Sequence, residues 1–270
     1  MRFVSLGSGS RGNSLIVEAG SHDAVAGKTR VMLDCGFTLK ETTFRLARHG
    51  LTPEQLTGIV VTHEHADHVA GVFRLARRHR LPVWLTHGTW SAVQPRLQAA
   101  GFVEDDLRDV RLIDSHSPFA IGELELTPFP VPHDAREPVQ FVFRDVRHRL
   151  GILTDVGMTT AHITETLDGC DALLLECNHD PDLLAANDRY PPSLKRRIAG
   201  RYGHLANAVA AELLQELDCS RLQHLIAAHL SEQNNTEELA LAALREGTMG
   251  QGVMLGVATQ AGMEDWCELS

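Results

Sequence analysis

The segment Thr62-His63-Glu64-His65-Ala66-Asp67-His68 places four side chains of metal-ligating type within six positions, and few backbones can make such a set converge. On a strand, residues i and i+2 project to one face, so His63 and His65 can reach a single ion. A helix offers no such i, i+2 pair. Asp67 and His68 follow at the turn into the next element, where adjacent side chains can aim at a second ion a few ångströms away. The motif therefore demands a short apolar strand that runs straight into a helix. Ile59–Thr62 supplies the strand. Asp67–His79 supplies the helix, with Val69, Val72, Phe73 and Ala76 on one side and Arg74, Arg77, Arg78 and Arg80 on the other.

The flanking pattern alternates strands and helices. Arg2–Leu6 and Asn13–Glu18 read as a hairpin around Gly7–Gly12, and Arg30–Asp34 as a third strand. Thr38–His49 has helical spacing, with Phe44, Leu46 and Ala47 apolar and Gly50 as its stop. Thr52, Pro53 and Gln55 form a capping box for a shorter helix that Gly58 ends. Pro82–Leu85 is a strand and Thr89–Ala100 a helix. From Val110 the order restarts: strands Val110–Ile113, Glu123–Phe129, Val139–Arg144 and His148–Thr154, helix Thr160–Leu167, strand Ala172–Cys177. Helix Ala206–Leu217, strand Leu222–Ala228, helix Thr236–Glu246 and strand Val253–Thr259 complete the chain. Strand runs mixed with strand–helix alternation predict two packed sheets with helices outside, and no linker divides residues 1–270, which are expected to form one domain.

Composition narrows the function classes. With 270 residues, 43% hydrophobic and 22% charged, the chain can bury a substantial core and is not a disordered or low-complexity segment. A net charge of −10 argues against coating nucleic acid through overall charge. Five cysteines without a C-x-x-C pair, no signal-like N-terminus and no apolar run long enough for a bilayer predict a cytoplasmic protein with reduced thiols. Fifteen histidines are the excess that needs explaining.

Three further residues stand where apolar strands emerge into loops, the usual place for site residues in layered α/β folds: His133 in Val131-Pro132-His133-Asp134, Asp155 after Leu153-Thr154, and His229 after Ala227-Ala228. Other features are weaker. Gly7-Ser8-Gly9-Ser10-Arg11-Gly12 matches the G-x-G-x-x-G dinucleotide fingerprint, but a strand follows it where a phosphate-binding helix would be needed. It reads as a tight hairpin, with Ser8 and Ser10 as candidates to face a substrate phosphate. Lys195, Arg196 and Arg197, near Arg189 and Arg201, concentrate positive charge and are candidates to attract a polyanion. Trp84 and Trp90 read as core, Cys35 and Cys177 as small buried hydrophobes, and His22, His49, His79 and His148 as surface residues.

H-x-H-x-D-H followed by a strand-end His, a strand-end Asp and a last strand-end His resembles the metallo-β-lactamase superfamily over essentially the whole chain. The narrower resemblance is to the YycJ/WalJ-type group of small bacterial proteins similar to exonucleases. It is carried by Gly7–Ser10, Glu176-Cys177-Asn178-His179-Asp180, Tyr190-Pro191 with Leu194–Ile198, Gly203-His204-Leu205-Ala206-Asn207, and His229-Leu230-Ser231 with Asn234-Asn235. Members commonly have Ser in place of Cys177 and Ala206, and neither position is a ligand. The resemblance implies a four-layered αββα sandwich with the metal site at one edge. It implies that His63, His65 and His133 hold one ion, that Asp67, His68 and His229 hold another, that Asp155 bridges them, and that Asp34 fixes the histidines from behind. Asn178 lies in a matching segment and is expected at the substrate, while His179 and His204 are candidates for the proton donor to the leaving oxygen.

Two divalent cations would activate a bridging hydroxide as nucleophile, with Asp67 orienting it. A ligand set of imidazole and carboxylate without thiolate suits Zn²⁺, Mn²⁺ or Fe²⁺. The expected function is metal-dependent phosphodiester hydrolysis, with the resemblance implying a 5′-to-3′ DNA exonuclease, DNA favoured over RNA, and a place in DNA repair. A small-molecule phosphodiesterase or thioesterase and a noncatalytic metal-binding scaffold are the alternatives. No membrane association is expected, and a homo-oligomer is compatible with the sequence.

Overall fold

The structure, a computed structural model, describes residues 1–20, 27–249 and 252–270. In the first half, β1 (Arg2–Gly7), β2 (Ser14–Ala19) and β3 (Thr29–Leu33) pair antiparallel, and β4 (Gly58–Val60), β5 (Val83–Thr86) and β6 (Val110–Ile113) continue the sheet in parallel. In the second half, β7 (Phe119–Ile121), β8 (Leu124–Pro130), β9 (Val139–Arg144) and β10 (Arg149–Leu153) are antiparallel neighbours. Then β11 (Ala172–Glu176), β12 (His224–Ala228) and β13 (Met254–Val257) extend that sheet in parallel. The final β14 (Cys267–Glu268) returns to β1, so the orders are 14-1-2-3-4-5-6 and 13-12-11-10-9-8-7.

Three apolar clusters define four layers. Phe3, Leu15, Val17 and Val31 of the first sheet meet Phe141, Leu150 and Ile226 of the second in a core between the sheets. Val4, Ile16 and Ile59, on the opposite face of the same first-sheet strands, pack against Leu46 of α1 (Leu39–Arg48) and against the helix that follows the histidine motif. Leu173 and Leu225 of the second sheet pack outward on Leu167, Leu213 and Leu244. Alternate residues thus enter different cores, so these strands are apolar on both faces, as sheets covered by helices must be. The architecture is the αββα sandwich expected from the sequence.

The departures have local causes. The helix expected over Asp67–His79 is broken into α2 (Ala66–Val69) and α3 (Val72–His79). At the break, Gly71 donates to the carbonyl of Cys35 at 2.8 Å, and a Cβ there would lie 2.0 Å from the Phe37 carbonyl oxygen, so the backbones are in contact. Gly58 opens β4 instead of ending a helix; the preceding turn is a 3₁₀ helix (Pro53–Gln55) that closes at Leu56. On α1, Thr42 and Leu46 face inward at i, i+4, leaving Phe44 61% exposed off that stripe. His148 is buried instead of exposed, and His22 lies outside the described residues. The chain continues with α4 (His87–Ala99), α5 (Ala161–Leu167), α6 (Pro181–Ala186), α7 (Pro192–Ile198), α8 (Asn207–Glu216) and α9 (Glu237–Gly247). The short elements β7, β14, α6 and α7 were not separated by periodicity, because fewer than eight residues carry too few turns or alternations.

Candidate metal centre

The carboxyl ends of the parallel strands face one edge of the sandwich, where α/β sheets place their ligands. Asp34 follows β3, Thr62 and His63 follow β4, Asp155 follows β10, Glu176 ends β11 and His229 follows β12. Asp34, Asp155 and His229 adopt left-handed backbone angles (φ 58°, 54° and 54°), uncommon outside glycine though more accessible to Asp and His than to most side chains. Each marks the residue at which a strand turns abruptly while its side chain stays at the edge.

Two groups of nitrogens and oxygens converge there. His63 Nε2 lies 3.0 Å from His65 Nδ1, and His133 Nε2 lies 3.3 Å from the same atom. His68 Nε2 lies 3.4 Å and His229 Nε2 3.8 Å from Asp67 Oδ2. Asp155 stands between the groups, 3.3 Å from His68, 3.4 Å from His229 and 4.0 Å from His133. All seven residues expected to hold metal are therefore brought together.

The bonds behind the imidazoles set their tautomers. His68 Nδ1 donates to Asp34 Oδ2 at 2.8 Å, and Thr62 Oγ1 donates to the same oxygen at 2.8 Å. The Thr62 hydroxyl can then only accept from His63 Nδ1, 3.0 Å away. Asp34 thus fixes His68 directly and His63 through Thr62, leaving both Nε2 lone pairs turned to the site. His133 Nδ1 donates to the Gly203 carbonyl at 3.1 Å with the same result.

The charges suit a cation. Burial, aided by the His68 imidazole, holds His63 well below the usual histidine range, so it stays in the neutral, ligating form. Burial opposes charge on His229 as well, yet Asp155, Asp67 and Glu176 push it up to about 10. Asp155 is held well below the carboxylate range, against its burial, by His229 and His68. Asp155 Oδ2 and His229 Nε2 are buried without a hydrogen-bond partner among the described residues, although imidazole or carboxylate atoms lie within 3.4 Å. A divalent cation accepting lone pairs from both sides would satisfy these atoms together. The donor set therefore fits divalent metal.

The sequence did not single out Glu176, which is fully buried. Its Oε1 accepts from His204 Nδ1 at 2.8 Å and lies 3.4 Å from His229 Nδ1, while Oε2 accepts from the backbone of Val156 at 2.9 Å. Asn13 was missed too. Its backbone N–H donates to the Asp67 carbonyl at 2.7 Å, and its Nδ2 lies 3.2 Å from Asp67 Oδ2. The signal for Glu176 was a carboxylate closing an apolar strand; nothing in the sequence marked Asn13.

The expected substrate contacts are largely redirected. Ser8 Oγ accepts from the His229 backbone at 2.8 Å, and Asn178 Nδ2 donates to the His229 carbonyl at 2.8 Å, so both hold His229 in place. Lys195 Nζ donates to the Ala185 carbonyl, and Arg197 is paired with Asp134 at 2.7 Å. Ser10 and Arg196 are exposed. His204 joins the site through Glu176, which raises its pKa against burial. His179 is buried, belongs to neither group and leaves its Nδ1 without a partner among the described residues.

A Beta-lactamase superfamily domain model matches residues 29–229. The chain is 32% identical over 258 residues to the exodeoxyribonuclease YycJ of Bacillus anthracis, covering 96% of this chain and 93% of that protein. To the exodeoxyribonuclease WalJ of Streptococcus pneumoniae serotype 2 it is 31% identical over 256 residues, covering 93% and 91%. Among solved structures, the metallo-β-lactamase fold protein YhfI of Bacillus subtilis superposes with a TM-score of 0.68 at 16% identity, covering 99% of both chains. No helix among the described residues is long and apolar enough to cross a membrane.

Proposed function

The chain belongs to the metallo-β-lactamase superfamily, in its YycJ/WalJ group, and is a metal-dependent hydrolase; from that premise we propose that it is a dinuclear 5′-to-3′ exonuclease acting on DNA. The observation that carries the reading is the placement of Asp155 between two imidazole clusters, within 4.0 Å of His68, His133 and His229. His63, His65 and His133 would hold one divalent cation; Asp67, His68 and His229 would hold the other, with Asp155 shared. Bound there, Zn²⁺, Mn²⁺ or Fe²⁺ would supply Lewis acidity, acidifying water and neutralising charge on the phosphodiester in the transition state.

The chain's own residues do the positioning and the proton work. Asp67 turns a carboxylate oxygen to the site and orients the attacking water by accepting its hydrogen bond. Glu176 holds His204 Nδ1, so His204 Nε2 is left to give a proton to the departing sugar oxygen; buried His179 is the second candidate for that role. Arg196 and Ser10, exposed near this edge in sequence, are offered to phosphates. DNA is favoured because the relatives that match the chain end to end are named exodeoxyribonucleases.

Oligonucleotides of DNA and RNA, 5′-phosphorylated and 3′-labelled, incubated with purified protein and Mn²⁺ or Zn²⁺, test the reading. DNA should shorten progressively from its 5′ end, and Asp67→Ala should slow this by roughly 100-fold or more. Intact oligonucleotides with metal-loaded protein would overturn the nuclease reading and make small phosphodiesters the next substrates to try.

A further inference from the structure

A cleft of about 770 Å³ opens on chain segments that adjoin residues of the candidate site in sequence. One wall is Pro132, adjacent in sequence to His133; another is Met158, three residues after Asp155; a third is Arg201 and Tyr202, just before His204. Backbone bonds tie these walls to the site: Gly157 N–H donates to the Pro132 carbonyl at 2.9 Å, Asp134 N–H to the Tyr202 carbonyl at 3.1 Å, and His133 Nδ1 to the carbonyl of the next residue, Gly203. The cleft is thus held in fixed relation to the metal-ligating groups.

Its lining combines rings, apolar side chains and one cation. Tyr202 is 64% exposed, which leaves its ring open to stacking from the cleft. His116 and His162, also exposed on the lining, lie parallel, with ring centroids 6.5 Å apart and planes 26° from each other. Arg201 is exposed and has no carboxylate partner among the described residues, whereas Arg197 nearby is neutralised by Asp134. Flat rings with a thioether and a proline beside them, and one cation at the rim, suit a planar aromatic group that carries a phosphate. Every nucleobase has a π-face that can stack in this way without sequence preference.

We propose that this cleft receives an unpaired nucleobase of the substrate strand, stacked on Tyr202 with Arg201 toward its phosphate, so that the enzyme engages a single-stranded end. This rests on the nuclease reading above, and it places the determinant of strand state in residues that do not ligate metal. A base within a blunt duplex is paired and stacked on its neighbours and would first have to be extracted.

Binding of a fluorescein-labelled single-stranded oligonucleotide, followed by anisotropy in EDTA, and its degradation with Mn²⁺ together test this. A series carrying one abasic residue at the first, second or third position is compared with the intact strand, in DNA and in RNA. Wild type should lose about 10-fold in affinity at one of these positions. Tyr202→Ala should show that loss on the intact strand and no further loss on the abasic one, while Tyr202→Phe behaves as wild type and a blunt duplex competes poorly. Equal behaviour of Tyr202→Ala and wild type, or losses that simply add, would overturn the cleft assignment. Wild type that binds single strands through Tyr202 yet cuts none would sink the nuclease reading alone. Cutting that ignores Tyr202 would sink the cleft alone.

Discussion

Glu176 ends β11 fully buried, and a carboxylate in that position is costly unless hydrogen bonds and opposite charge surround it. Here two imidazoles and the backbone of Val156 do so, and they make one side chain responsible for orienting both a proposed ligand, His229, and a proposed proton donor, His204. Glu176→Gln keeps the shape but removes the charge. Turnover of an oligonucleotide should fall by roughly 10- to 100-fold, the usual effect of losing a partner behind a metal ligand, with single-strand affinity in EDTA unchanged. Unaltered turnover in a folded variant would remove the orienting role. The contrast with Asp34 is instructive about what a sequence carries. Ligand-type residues could be read because each stands where an apolar strand stops. The Thr62 relay from Asp34 to His63, the Asn13 clamp on Asp67 and the redirection of Ser8 to His229 could not, because each joins segments whose distance in space the sequence does not state.

Among the elements, β2 carries a charge that its neighbours neutralise. Glu18 pairs across the sheet with Arg2 on β1 and Arg30 on β3, its carboxylate 2.7 Å from each, and Lys28 lies 2.8 Å away. Burial favours the neutral acid, but the three cations win and pull its pKa down to about 2. An unfolded Glu titrates near 4.3. The stabilisation is therefore complete above that value and is lost as pH falls toward 2. Glu18→Gln should cost on the order of 1.5–3 kcal/mol at pH 7, and denaturant unfolding should show a smaller gap from wild type at pH 3; a gap that widened in acid would refute the assignment. Such cross-strand pairs presuppose register, which is why β1, β2 and β9 could be read as apolar runs and β1 with β2 as a hairpin, while the pairing of β2 with β3 and of β9 with β8 and β10 could not. Helices long enough to repeat, such as α1 and α9, were read nearly to their caps at Thr38 and Thr236; the contact at Gly71 that breaks the motif helix is tertiary and left no periodic trace.

At the scale of the whole molecule, the candidate site is a seam. Asp34, His63, His65, Asp67 and His68 come from the first sheet and its loops, and His133, Asp155, Glu176 and His229 from the second. Between them lies an apolar core that both sheets share. A cation coordinated from both sides binds the folded chain and not the unfolded one, so it stabilises by mass action, about 2.7 kcal/mol at a free concentration 100 times its dissociation constant. For a chain of this length, each kcal/mol moves the melting temperature by roughly 2–4 °C. We propose further that residues 1–270 unfold as one unit, because the shared core leaves neither sheet with both faces covered if the other departs. Calorimetry of the metal-loaded and chelated protein should therefore give a single transition in each, with the chelated form melting roughly 5–10 °C lower. Two resolved transitions after chelation would mean that the metals, and not the inter-sheet core, join the halves. An unchanged midpoint would mean that the clustered imidazoles and carboxylates bind no cation across the seam.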